Sequence, residues 1–230
     1  MDENLVSCGL PAIDIELGGG LYKGSLVYLM VDSMVMGELF LYYFLKNKQA
    51  YYVNTDRKPE FIKRNMDVLG FETSSIRFID VHGRYYELED RLLERGRGVK
   101  DYMILDFMKK QLDGIKEKDV NLIVDTVTFF IHLDVRRGLI HEMVDTIYNA
   151  TKRIGGLGIL YGVKEDTRSS VESEVINRCD AVFDVSLVKK SDRIVTELVI
   201  PKARDRPIRG NVLKFKIDGG VIIDMSKEIS

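Results

Sequence analysis

From Leu26 to Leu45 the chain is apolar almost throughout, with Lys23 before it and Lys46 after it. A run of that length either crosses a bilayer or folds as two consecutive buried elements. Asp32 and Glu38 decide between the two. A carboxylate near a bilayer centre costs about 2.5–3.5 kcal/mol on insertion scales, and this run would carry two. The run therefore reads as a strand over Leu26–Val31, a turn opening at Asp32-Ser33, and a helix from about Val35 to Lys46. A strand that is apolar at every position needs cover on both faces, which is the condition of a parallel sheet between two helix layers.

The same alternation continues along the chain. Strands are predicted at Ala50–Asn54, Ile76–Val81, Asn121–Asp125, Leu157–Val163 and Ala181–Leu187, with helical patterns near 59–69, 99–117 and 136–153. Short apolar runs separated by helical segments imply βαβ units and a mostly parallel sheet. The end differs. Arg193–Pro201, Asn211–Ile217 and Val221–Asp224 follow one another without a long helix, the last pair across Gly219-Gly220, and predict an antiparallel extension. Lys202–Gly210 reads as a hairpin loop. The chain has only 4 prolines and neither an internal repeat nor a linker, so it reads as one domain over 1–230. Its core spans about 8–188 and its extension about 189–224.

Charge and cysteine content exclude some function classes. The 34 basic residues are balanced by 36 acidic ones, so the chain as a whole is not a polyanion binder. Cys8 and Cys179 form neither a metal-ligand spacing nor a disulfide framework, and His82, His132 and His141 share no metal spacing. Cys8 has no recognisable histidine partner that would make it a nucleophile. The acidic start, Met1 to Asn4, lacks the basic and apolar parts of a signal peptide. A cytoplasmic location without a membrane span is expected.

Specific motifs then narrow the fold. Gly9-Leu10-Pro11 is followed by Asp14, by the run Gly18-Gly19-Gly20, and by Gly24-Ser25 stepping into the first buried strand. This opening resembles that of KaiC-like ATPases of the RecA superfamily. The segment from Ala50 to Phe71 resembles that family's second strand and helix, and Asn121–Phe130 resembles its Walker B strand. Cys179–Leu187 and Arg193–Pro207 resemble its closing strands. The order and spacing hold from Cys8 to about Asp224. The resemblance implies a RecA-like three-layer αβα sandwich, an α/β fold whose mostly parallel central sheet carries the antiparallel extension.

At the family's phosphate loop the chain departs from the pattern. A P-loop reads G-x-x-x-x-G-K-S/T: its glycines let backbone N–H groups approach the phosphates, its lysine reaches the β/γ-phosphates, and its hydroxyl holds magnesium. The matching nucleotide-binding position here is Val31-Asp32-Ser33-Met34-Val35-Met36-Gly37-Glu38. Aligned without gaps the lysine position falls on Gly37, and shifted by one it falls on Glu38, so neither register supplies a lysine; Asp32 and Glu38 would repel a triphosphate. Met34 and Met36 could fill the pocket with soft apolar bulk or form a partner-binding patch. Where the family carries a carboxylate pair after its second strand, this chain has Asp56-Arg57. Asp56 could still orient a water, whereas Arg57 could not. Asp125 fits the Walker B acid that holds magnesium. Lys202-Ala203-Arg204 fits the Lys-x-Arg finger that reaches a neighbouring subunit's γ-phosphate, within the strongly basic stretch 202–216.

Two further charged stretches bear on nucleic acid. Lys164–Glu174, where recombinases carry a DNA-binding loop, is net acidic through Glu165, Asp166, Glu172 and Glu174. Phosphate contacts dominate nucleic-acid affinity, so this loop argues against recombinase-like binding. Arg91, Arg95, Arg97 and Lys100 are offset by nearby acids and read as a solvated face. The leading expectation is a non-catalytic pseudo-ATPase, a regulatory or protein-binding module that needs no cofactor. Its partner would be a protein, such as a catalytic KaiC- or RecA-like paralogue, and homo-oligomers are allowed. The alternative is an ATPase with a rearranged site, using ATP and Mg with Asp125 on the metal and Asp56 on the water. A second alternative is a recombinase-like accessory protein that binds nucleic acid.

Overall fold

The computed structural model describes residues 3–91, 97–189, 194–217 and 221–223. The expected turn at Gly219-Gly220, and Arg95 and Asp224, lie outside them. Leu26–Val31 is strand β3, buried at every position, and the chain re-enters the core as helix α2 (Glu38–Leu45). The long apolar run is thus strand, turn and helix. Among the described residues no helix is long and apolar enough to cross a membrane.

Before β3 come the short strand β1 (Leu5–Val6), helix α1 (Pro11–Glu16) and β2 (Leu21–Tyr22), which pairs antiparallel with β1. After α2 follow β4 (Ala50–Asn54), α3 (Pro59–Val68), β5 (Ile76–Asp80), α4 (Val81–Arg91) and α5 (Arg97–Gly114). Then come β6 (Asn121–Asp125), α6 (Val127–Ile131), α7 (Arg137–Ile154), β7 (Gly158–Val163) and α8 (Ser170–Arg178). The chain ends with β8 (Ala181–Lys189), β9 (Ile194–Ala203), β10 (Leu213–Ile217) and β11 (Val221–Ile223).

Strands β3 to β11 form a 9-stranded sheet in the order β11-β10-β9-β8-β3-β7-β6-β4-β5, separate from the β1-β2 pair. From β8 to β5 every pairing is parallel, and β9, β10 and β11 add antiparallel. β3 lies between β7 and β8, which explains why none of its side chains meets water. Its alternate residues divide between two cores. Val27, Leu29 and Val31 pack with α1, α2 and α3, while Leu26, Tyr28 and Met30 pack with α4, α5, α7 and α8. Helices therefore cover both faces, giving the expected αβα layers with the antiparallel extension at one edge.

Buried polar groups fix where the strands begin. Asp180 accepts from the Leu26 amide at 2.9 Å and from Lys152 Nζ at 2.7 Å. The Asn121 amide group donates to the Phe44 carbonyl at 2.7 Å and accepts from the Leu157 amide at 2.9 Å, tying α2, β6 and β7 together. The bonds to the Leu26 amide, the Phe44 carbonyl and the Leu157 amide satisfy buried backbone groups that would otherwise be costly to desolvate.

The structure also corrects several boundaries. α2 starts at Glu38 rather than near Val35, because residues 32–37 close on themselves as a turn. The expected acidic loop at Lys164–Glu174 ends in the first turns of α8. There Ser169 caps the helix by accepting from the Glu172 amide at 3.0 Å. Glu172 itself is buried and accepts from the Tyr28 hydroxyl at 2.9 Å. Lys100, read as part of a solvated face, is buried with its ammonium 3.7 Å from the Tyr85 ring centroid. β9 runs on through Lys202 and Ala203, so the hairpin connection begins at Arg204.

Candidate functional site

The turn between β3 and α2 stands at the C-terminal edge of the parallel strands, where ligands bind in open α/β sheets. Three of its amides are engaged within the fold. The Val35 amide donates to the Asp32 carbonyl at 2.9 Å, the Gly37 amide to the Val35 carbonyl at 2.8 Å, and the Asp32 amide to the Val185 carbonyl at 3.1 Å. The Asp32 carboxylate faces β8. It accepts from the Leu187 amide at 2.8 Å and pairs with Lys164 at 3.0 Å, and Lys164 reaches Asp184 at 2.5 Å. Ser33 is exposed at the tip of the turn. Met34 and Met36 are 79% and 51% exposed, so the methionines do not plug a phosphate pocket. Tyr161 packs instead against Gly37 at the end of the turn. A Cβ on Gly37 would lie 2.7 Å from the Tyr161 hydroxyl and 2.9 Å from Val31 Cγ1. Glycine is needed there for close approach, since its φ of −65° suits any residue.

Beneath the turn, three charged side chains from three elements meet. Glu38 opens α2, Arg57 follows β4, and Asp125 ends β6. The Arg57 guanidinium lies 3.1 Å from Glu38 and 3.8 Å from Asp125. Its backbone is held by Asn54, whose amide donates to the Arg57 carbonyl at 2.8 Å and to Asp80 at 2.7 Å. Tyr52 donates to Asp125 at 2.5 Å. Burial lifts the Asp125 carboxyl to about 6, against the opposing pull of the Tyr52 hydroxyl and the Arg57 guanidinium. Burial works to lower the Arg57 pKa, but the charges of Glu38 and Asp125 outweigh it and hold the group above its ordinary value. Burial raises Tyr42, beside Arg57, to about 12 and pushes Tyr52 and Tyr161 higher. All three phenols stay neutral near pH 7.

The group is a half-buried cation shared between two carboxylates and ringed by tyrosines. The guanidinium bridges Glu38 at the start of α2 and Asp125 at the end of β6. The residues do not fit a magnesium nucleotide. The Val35 and Gly37 amides bond within the turn rather than facing a phosphate, and the carboxylates already have their counter-ion. Among the described residues no cluster of three or more His, Cys, Asp or Glu could hold a metal ion. Asp56 stays outside the trio. It is exposed, and its carboxylate accepts from the Thr55 hydroxyl at 3.0 Å. Sequence reasoning dismissed Arg57 and did not find Tyr52, Tyr42 or Tyr161. The readable signal was a pair of opposite charges, an acid at 38 and a base at 57.

Lys202 and Arg204 lie at the opposite edge of the sheet. Because β9 runs antiparallel, Lys202 pairs with Val182 near the start of β8, while the turn after β3 sits beyond Val185. Lys202 Nζ donates to the carbonyls of Ile176 and Asn177, each at 3.0 Å, and Arg204 donates to the Asn177 carbonyl. Both cations thus sit on the C-terminal carbonyls of α8, where a helix favours positive charge. Burial and the neighbouring Arg204 lower the Lys202 pKa. Further along, Arg206 donates to the carbonyls of Leu17 at 2.9 Å and Gly18 at 2.6 Å, and Asn211 donates to Glu16 at 2.8 Å. The basic stretch is fastened to α8 and α1.

One open cleft adjoins the charged trio. It holds about 710 Å³ between the turn and α3, and its lining includes Met34, Met36, Arg57, Phe61, Arg64 and Val68.

The fold matches that of KaiC-like protein PH0186 from the hyperthermophilic archaeon Pyrococcus horikoshii OT3, with a TM-score of 0.72 over 96% of this chain and 98% of that one, at 16% identity. The architecture is therefore that of KaiC-like members of the RecA superfamily. No curated protein matches the sequence. A family model covers residues 5–230, and by that match the chain belongs to DUF7125, a family of unknown function.

Proposed function

We propose that this protein is a non-catalytic relative of KaiC-like ATPases that works as a regulatory or protein-binding module in the cytoplasm. One observation carries the reading: Arg57 bridges Glu38 and Asp125 at 3.1 and 3.8 Å, with a guanidinium where the family pattern calls for a metal ion. A magnesium ion bound to these carboxylates would have to displace that cation, and a phosphate reaching the Val35 and Gly37 amides would have to break their bonds within the turn. The methionines beside the site remain open to solvent and suit protein contact better than phosphate binding. Calorimetric titration with ATP, with and without magnesium, tests the proposal, and heat at the limit of detection up to millimolar nucleotide is expected. A dissociation constant in the low micromolar range that Asp125→Ala abolishes would instead establish an ATPase with a rearranged site.

A further inference from the structure

The cleft between the turn at 32–37 and α3 has a chemistry of its own. Phe61 and Val68 on α3 are 52% and 79% exposed and line the same space as Met34 and Met36. Arg64 and Asn65 lie on that wall, and Arg64 has no ion-pair partner among the described residues. The lining carries two arginines against one glutamate, and that glutamate is held by Arg57. The cleft is thus apolar, with one guanidinium left to meet an incoming anion.

Three occupants can be weighed on these facts. A small molecule is usually buried over most of its surface in its site, and side chains as open as Met34 and Val68 cannot enclose one. Nucleic acid needs several phosphate contacts, and the cleft offers one uncommitted cation. A protein segment fits both features, because exposed methionines adapt to varied apolar side chains and arginine engages carboxylate bidentately.

We infer that this cleft is the docking groove for a short segment of a partner protein that presents apolar side chains beside a carboxylate. The apolar side chains seat on Met34, Met36, Phe61 and Val68, and the carboxylate meets Arg64. The inference rests on the protein-binding reading above and specifies the partner's chemistry.

The test is selection of a random phage-displayed 16-residue peptide library against the full chain, followed by fluorescence anisotropy with the enriched synthetic peptides. The expected consensus has two or more large apolar residues and at least one Asp or Glu. Its affinity should fall at least tenfold with Met34→Ser/Met36→Ser and at least tenfold with Arg64→Glu, and restoring binding to Arg64→Glu should require Lys in place of the acid. All these side chains are exposed, and circular dichroism checks that each variant folds. No enrichment, a consensus without an acid, or affinity indifferent to the variants would overturn the inference. Sedimentation showing self-association lost in Met34→Ser/Met36→Ser would also overturn it, by assigning the groove to a second copy. ATP added to the same assay separates the two readings. Displacement of the peptide by micromolar ATP counts against the non-catalytic reading, whereas peptide failure without ATP binding counts against the groove alone.

Discussion

Replacing Asp125 by asparagine should stabilise the protein at neutral pH, and the gain should disappear in acid. Asp125 is 5% exposed, and its carboxyl rises from 3.8 to about 6 even with Arg57 and Tyr52 pulling it down. In the folded state it therefore holds its proton up to about pH 6, while in the unfolded chain it releases it near 3.8. Between those values the folded state binds more protons, so stability falls as pH rises. At 1.36 kcal/mol per pH unit the ionised carboxylate costs about 3 kcal/mol once the pH exceeds 6. Asparagine cannot ionise and still offers Tyr52 an acceptor oxygen. Urea unfolding of both proteins at several values from pH 4 to 7.5 isolates the effect, because all other carboxylates cancel in the difference. The Asp125→Asn variant should be more stable by up to about 3 kcal/mol at pH 7.5 and equal to the parent near pH 4. A variant less stable than the parent at pH 7.5, or a difference that does not change with pH, would refute the account of a carboxylate ionised at a cost.

Arg57→Ala should lower stability at pH 7.5 by about 1–3 kcal/mol, since Glu38 and Asp125 lose their shared, half-buried cation; thermal melts should show part of the loss recovered by adding Glu38→Gln. Gly37→Ala should cost about 1–3 kcal/mol through the clash with Tyr161, and a melting temperature equal to the parent's would show that the ring yields freely. Rewriting Val31, Met36, Gly37 and Glu38 as Gly, Gly, Lys and Thr should destabilise through Gly37 and the charged trio; Met36→Gly alone should then change the urea midpoint little. Lys202→Ala with Arg204→Ala should weaken the end of α8 by about 1 kcal/mol, seen as faster hydrogen exchange at residues 175–178, and unchanged exchange would count against the capping role.

The fold was legible where burial is continuous. β3 and β6 read as strands because Leu26–Val31 and Leu122-Ile123-Val124 expose no polar face, and that same lack of a face set them in a parallel sheet. α8 was not read, although Ser169 and Glu172 have the spacing of a capping box. Counting charges hid a helix whose acid turns inward to Tyr28. α4 begins directly after β5 with no turn residues to announce it, so sequence reasoning gave Val81 to the strand. The site was legible as a place, from the order of motifs around residues 31–38, but not as an arrangement. Tyr42, Tyr52 and Tyr161 come from three elements, and nothing local in the sequence says that they converge. Exposure of Met36 depends on how tightly the turn bonds to itself, which side-chain type alone does not reveal.

The shared counter-ion also shapes what single substitutions can do. A change of Arg57 to an acid would set three carboxylates together, and loss of Glu38 alone would leave the guanidinium only the more distant Asp125. The three positions are strongly epistatic: the effect of changing one depends on the state of the other two. A mutational path from this arrangement to a phosphate-binding one passes through less stable intermediates unless several positions change together. Variation among relatives of this chain is therefore expected to occur at 38, 57 and 125 jointly, and a relative carrying Thr at 38 should carry an acid at 57.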